Sequence, residues 1–90
     1  MDNGFMPAIS VKFYGIVQGI GFRAHVRKKA RELGVTGWVK NNDDGSVEAV
    51  FNGSEEMLAI MLAYCRKIPM AQISSEQITD LKEMEFKGFN

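Results

Sequence analysis

The hydrophobic pattern first changes period early in the chain, and that change limits the fold more than any other feature. Ile9, Val11 and Phe13 alternate with Ser10, Lys12 and Tyr14. Side chains two residues apart share a face in a strand, so this run predicts a strand with one apolar face. Gly15, Gly19 and Gly21 come next and read as a loop. From Phe22 the apolar residues recur at helical spacing, through Val26, Ala30 and Leu33. A half-apolar strand that hands over to an amphipathic helix must bury both faces against each other, which selects a layered fold of mixed type.

The rest of the chain continues that logic. Gly34 ends the helix, as a residue free to turn left-handed does. Val35 to Lys40 is rich in β-branched and aromatic residues and predicts a second strand. Asn41-Asn42-Asp43-Asp44-Gly45 is dense turn chemistry, and Ser46 to Asn52 resumes strand character, so the pair reads as a hairpin. Ser54 suits a helix N-cap, with Glu55 and Glu56 in the first turn and Arg66 and Lys67 in the last. The body of this second helix, Met57 to Cys65, is apolar almost all round, with small residues such as Ala59 and Ala63 expected on its outer side. Pro69 stops the helix. Ile73 to Ile78 predicts a further strand, and Met84, Phe86 and Phe89 suggest a short final one. The expected fold is α+β, a ferredoxin-like two-layer sandwich in βαββαβ order, with a short fifth strand left open. Residues 1–7 read as a loose lead-in ended by Pro7, and residues 8–90 as one domain.

Composition narrows the function. Ninety residues allow one core, and 46% hydrophobic residues are too many for a disordered chain. Eleven basic against eleven acidic residues exclude a wholesale polyanion binder, so any anion site must be local. The longest apolar run, Met57 to Cys65, falls short of the ~20 residues a membrane helix needs. The acidic start, Met1-Asp2-Asn3-Gly4, opens no signal region. Cys65 is the single cysteine, so neither an internal disulfide nor a thiolate-rich metal site is available. A soluble, cytoplasmic monomer is expected, without nucleic-acid or membrane partners.

Candidate chemistry concentrates in the run Gly15-Ile16-Val17-Gln18-Gly19-Ile20-Gly21-Phe22-Arg23. Glycines before a helix let backbone N–H groups converge on an anion, although three glycines also make an ordinary turn. Arg23 favours the anion: a cation in the first turn of a helix opposes the helix dipole by roughly 0.3–1 kcal/mol, and a bound anion removes the conflict. Arg27, Lys28, Lys29 and Arg31 on the same helix read as a solvated face that raises the local potential for small anions. An amide at the hairpin turn offers donors and an acceptor for orienting a water, and composition alone does not choose Asn41 over Asn42. His25 reads as a surface residue, Asp43 and Asp44 as turn formers, Trp38 as a packing residue and Cys65 as a core residue.

The Gly15–Arg23 run resembles the first signature of the acylphosphatase family. Gly37-Trp38-Val39-Lys40-Asn41-Asn42-Asp43-Asp44-Gly45-Ser46-Val47-Glu48 resembles the second. The intervening Ala30 and Gly34 fit as well, and the likeness is close over residues 8–53 and looser beyond. The resemblance implies hydrolysis of carboxylic–phosphoric anhydrides to a carboxylate and inorganic phosphate, with no metal or organic cofactor. It implies that Arg23 grips the phosphate with backbone amides of the loop, and that Asn41 positions the attacking water. The implied phosphate-binding set is Gly15, Val17, Gln18, Gly19, Ile20, Gly21, Phe22 and Arg23. Inorganic phosphate is the implied product or inhibitor. Ile16 departs from the polar or basic residue frequent in the family, and Ile68 stands where Gly usually precedes the Pro.

Two other classes share the pattern. A non-catalytic module would bind phosphate without hydrolysis. An RNA-binding domain would need stacking aromatics on its central strands, and Ser46 to Asn52 offers only Phe51.

Overall fold

Alternation along the first strand decides which strand becomes the centre of the sheet. A computed structural model describes residues 6–90. Its elements are β1 (Met6–Ile16), α1 (Phe22–Leu33), β2 (Thr36–Asn41), β3 (Val47–Asn52), α2 (Glu55–Cys65) and β4 (Gln72–Met84). The strand order is β2-β3-β1-β4, with antiparallel neighbours throughout. β1 is thus paired on both sides, and its Val11 and Phe13 are fully buried beside Val47, Ala49 and Phe51 of β3. Both helices cover that face: α1 buries Phe22, Val26 and Ala30, and α2 buries Leu58, Met61 and Cys65. This is the ferredoxin-like βαββαβ sandwich anticipated from the sequence.

Topology gathers three termini at one end of the sheet. β1 and β2 are both antiparallel to β3, so they run in the same direction and finish at the same edge. The chain leaves β1 through residues 17–21, enters α1 there, and returns along β2 to Asn41. Crevices at the carboxyl ends of such strands are the usual place for a ligand.

Several expectations need correction. Met6 and Pro7 belong to β1 rather than to a lead-in, and the Pro7 carbonyl accepts the Gly53 N–H at 3.0 Å. The remainder of that lead-in, residues 1–5, lies outside the described residues. Gly15 is a strand residue paired with Ile73, not a loop residue. A Cβ there would stand 2.1 Å from the Gln72 carbonyl oxygen, so close approach of β4 is what demands glycine. β4 runs well past Ile78 to Met84, so Met84 does not open a separate strand. The expected fifth strand is reduced to an isolated parallel bridge between Phe89 and Gly37, with the Asn90 N–H donating to the Gly37 carbonyl at 3.0 Å. Phe89 is buried there, its ring 6.0 Å from that of Phe51. Arg66 lies at the C-cap of α2, beyond its last turn, and its guanidinium grips Glu76 of β4 through contacts of 2.7 and 2.9 Å.

Polar groups caught in this packing are paired. The buried Asn52 Nδ2 shares its two hydrogens among the carbonyls of Met6, Pro7 and Met84, tying β3 to the start of β1 and the end of β4. Cys65 is fully buried, and burial pushes its thiol up to about 12, which keeps it protonated and unreactive. Ala59 and Ala63 do lie on the exposed side of α2.

Candidate active site

The two helices begin on different chemistry. Ser54 caps α2: its Oγ accepts the Met57 N–H at 3.2 Å, and Glu55 and Glu56 follow in the first turn. Gly21 caps α1 in a left-handed conformation, φ 80°, without any side-chain hydrogen bond, and no acidic residue lies in the first turn. The first helical bond runs from the His25 N–H to the Gly21 carbonyl, 3.1 Å. The N–H groups ahead of it, on Phe22, Arg23 and Ala24, precede any helical acceptor. The positive end of the α1 dipole is therefore left open.

A cavity of about 180 Å³ lies at this end. Val17, Gly19 and Gly21 line it from the loop, Phe22, Arg23, Ala24 and Arg27 from α1, and Asn41 from the end of β2. Arg23 and Asn41 thus share one space although they come from different elements. Arg23 is exposed, and among the described residues no carboxylate forms an ion pair with it. Two wider hollows flank α1, one of about 560 Å³ beside Arg27, Lys28 and Arg31 and one of about 400 Å³ beside His25 and Tyr64. Neither is lined by Asn41 or Arg23.

The structure distinguishes the two asparagines. The Asn42 amide is committed to the protein, donating to Ser46 Oγ at 3.1 Å and Glu48 Oε1 at 3.3 Å. The Asn41 side chain has no such bond among the described residues and borders the cavity. The turn beyond it is stiff. Asp44 Oδ1 accepts from both the hydroxyl and the N–H of Ser46, and these bonds hold the Asp44 carboxyl below its usual range.

Of the loop residues implied to hold phosphate, Val17, Gly19, Gly21, Phe22 and Arg23 line the cavity, and Gly15, Gln18 and Ile20 do not. Gly15 is taken by the β1–β4 pairing. Gln18 turns its amide toward the β2–β3 turn instead. Sequence reasoning also left Arg27 on the outer basic face. It lies four residues after Arg23, a spacing that places two side chains on one helix face, and it joins Arg23 at the cavity. His25 is half-buried rather than on the surface, with Nδ1 3.4 Å from the Tyr64 hydroxyl. Among the described residues no group of three or more His, Cys, Asp or Glu is arranged to hold a metal ion, and no helix is long and apolar enough to cross a membrane.

Known proteins carry this fold. An acylphosphatase from Coxiella burnetii superposes with a TM-score of 0.88 at 35% identity, covering 99% of this chain and 97% of its own. HypF from T. kodakarensis contains a similar unit, TM-score 0.79 at 34% identity, covering 93% of this chain and 11% of that one. The profile of the Acylphosphatase family matches residues 9–90. The acylphosphatase of Thermoplasma volcanium is 45% identical over 80 residues, 88% of this chain and 89% of that protein. The chain belongs to the acylphosphatase family and is an enzyme of that family.

Proposed function

We propose that the chain hydrolyses acyl phosphates to a carboxylate and inorganic phosphate, using Arg23, loop amides and Asn41. The observation that carries this reading is the shared cavity: an open helix end, a guanidinium and an uncommitted side-chain amide line one space. A phosphoryl dianion repels a nucleophile, so charge neutralisation is the main demand on the site. Arg23 answers it as a two-pronged donor, and the N–H groups at the start of α1 add donors in fixed positions. The Asn41 carbonyl holds a water by accepting one of its hydrogens. The water oxygen attacks phosphorus, the bond from phosphorus to the acyl oxygen breaks, and the carboxylate leaves with the electron pair. Asn41 is no base at neutral pH, so the water proton passes to a phosphate oxygen of the substrate. A carboxylate is a weak base and needs no acid to leave, which is why a site without His or carboxylate suffices.

The reaction needs no metal and no organic cofactor, and inorganic phosphate competes with substrate. The protein works as a cytoplasmic monomer, a reading that its single cysteine supports only in that no internal disulfide can form. The test is phosphate release from benzoyl phosphate in the presence of a chelator. Release is expected from the unmodified protein, Arg23→Ala should lose both turnover and inhibition by phosphate, and Asn41→Ala should lose mainly turnover. Phosphate binding with no hydrolysis of benzoyl or acetyl phosphate would contradict the reading and leave a binding module.

A further inference from the structure

Gln18 spends the donor end of its side-chain amide on the protein, and on one place. Its Nε2 donates to the Asn42 carbonyl at 2.8 Å and to the Ser46 carbonyl at 2.9 Å. An amide nitrogen has two hydrogens, so nothing is left over for a phosphate. Both acceptors sit in the β2–β3 turn, and Asn42 directly follows Asn41. That turn is otherwise closed on itself, with the Asn42 N–H on the Ser46 carbonyl at 2.9 Å and the Gly45 N–H on the Asn42 carbonyl at 3.2 Å. Among the described residues no other hydrogen bond joins loop 17–21 to the turn.

We infer that Gln18 is a positioning residue that sets the distance between the open end of α1 and Asn41, and so acts on turnover through Asn41. The inference rests on the water-orienting role proposed for Asn41. Two halves of the site come from separate connections, and the attacking water must stand in line with the phosphoryl group. Displacing a reacting group by about 1 Å costs on the order of a hundredfold in rate. Without the Gln18 donors the turn is tied to the loop only through the sheet, where Asn41 pairs with Val47 and Val47 with Phe13, so the phosphate grip persists while the Asn41 side chain and its water lose their fixed place. This role differs from the phosphate-binding one that the family resemblance implied for the residue.

The test compares Gln18→Met, of similar bulk but without donors, in the unmodified and the Asn41→Ala backgrounds. With benzoyl phosphate, Gln18→Met should lower kcat on the order of tenfold while KM and the phosphate inhibition constant stay within about twofold. In the Asn41→Ala background the same change should cost less than about twofold, because the residue it acts through is gone. An equal loss in both backgrounds, or a loss carried by KM, overturns the inference alone. Full turnover in Asn41→Ala overturns the role of Asn41 itself, and the inference with it. Gln18→Lys keeps donors for both carbonyls and should retain kcat within about threefold of the unmodified protein. A tenfold loss in that variant overturns the inference even where the Met variant fails to fold.

Discussion

The two helices are close in length, 12 and 11 residues, but they begin in opposite ways. α2 satisfies its own first turn with Ser54, Glu55 and Glu56. α1 starts on a left-handed glycine, has no side-chain cap and no acid in its first turn, and carries Arg23 where its dipole is already positive. The same backbone demand is met internally in one case and left unmet in the other. A helix end left open costs stability in the free protein and becomes an anchor once an anion arrives. The contrast sets an element that caps itself against one whose first turn is left open, and the proposed phosphate site rests on that difference.

The largest effect that can break this contrast is at Arg23. Arg23→Ala should reduce benzoyl phosphate turnover by about a hundredfold or more, measured as phosphate released. Near-normal turnover would remove the reason for a cation at that end. Next is Gly21→Asp, which gives α1 the kind of acid that α2 has. No atom lies within 4 Å of a Cβ at Gly21, and Asp tolerates the left-handed conformation better than most residues. The new carboxylate competes for the N–H groups, so the phosphate inhibition constant should rise on the order of tenfold. Ser54→Ala makes the opposite comparison. It should lower unfolding free energy by about 1 kcal/mol in denaturant titration, with kcat and phosphate inhibition unchanged.

The smallest effect is at the far end of α2. The Arg66 guanidinium holds the Glu76 carboxyl below the ordinary glutamate value through a two-pronged hydrogen bond. The stability this supplies is present above that ordinary value and is lost as pH falls through the lowered one. The Arg66 side chain is half exposed, so solvent screening limits the contribution to less than about 1 kcal/mol. Glu76→Gln should lower Tm slightly at neutral pH, and the gap to the unmodified protein should close in acid.

Local chemistry is what made the helices and half of the site readable in the sequence. The cap at Ser54, the stop at Gly34 and the misplaced charge of Arg23 all act within a few residues of themselves. β4 was hard to delimit because it is an edge strand that neither helix covers closely. Its run Gln72-Ile73-Ser74-Ser75-Glu76-Gln77 keeps most side chains exposed and shows no clean alternation. Gly15 looked like its loop neighbours, since the Gln72 carbonyl that excludes a Cβ comes from the far end of the chain. The choice between Asn41 and Asn42 depended on Ser46 and Glu48 occupying one of them. The role of Gln18 carried no sequence signal, because its partners are carbonyl groups, which every residue has.

If the two helix ends differ as proposed, phosphate binds at the open end of α1 and not at the capped end of α2. Titrating inorganic phosphate into the ¹⁵N-labelled protein and following backbone amide resonances tests it directly. Saturable shifts are expected at Gly19, Gly21, Phe22 and Arg23, with Glu55, Glu56 and Met57 unmoved, and those shifts should be lost in Arg23→Ala. Shifts confined to the α2 end, or none at the start of α1 at saturating phosphate, would contradict it.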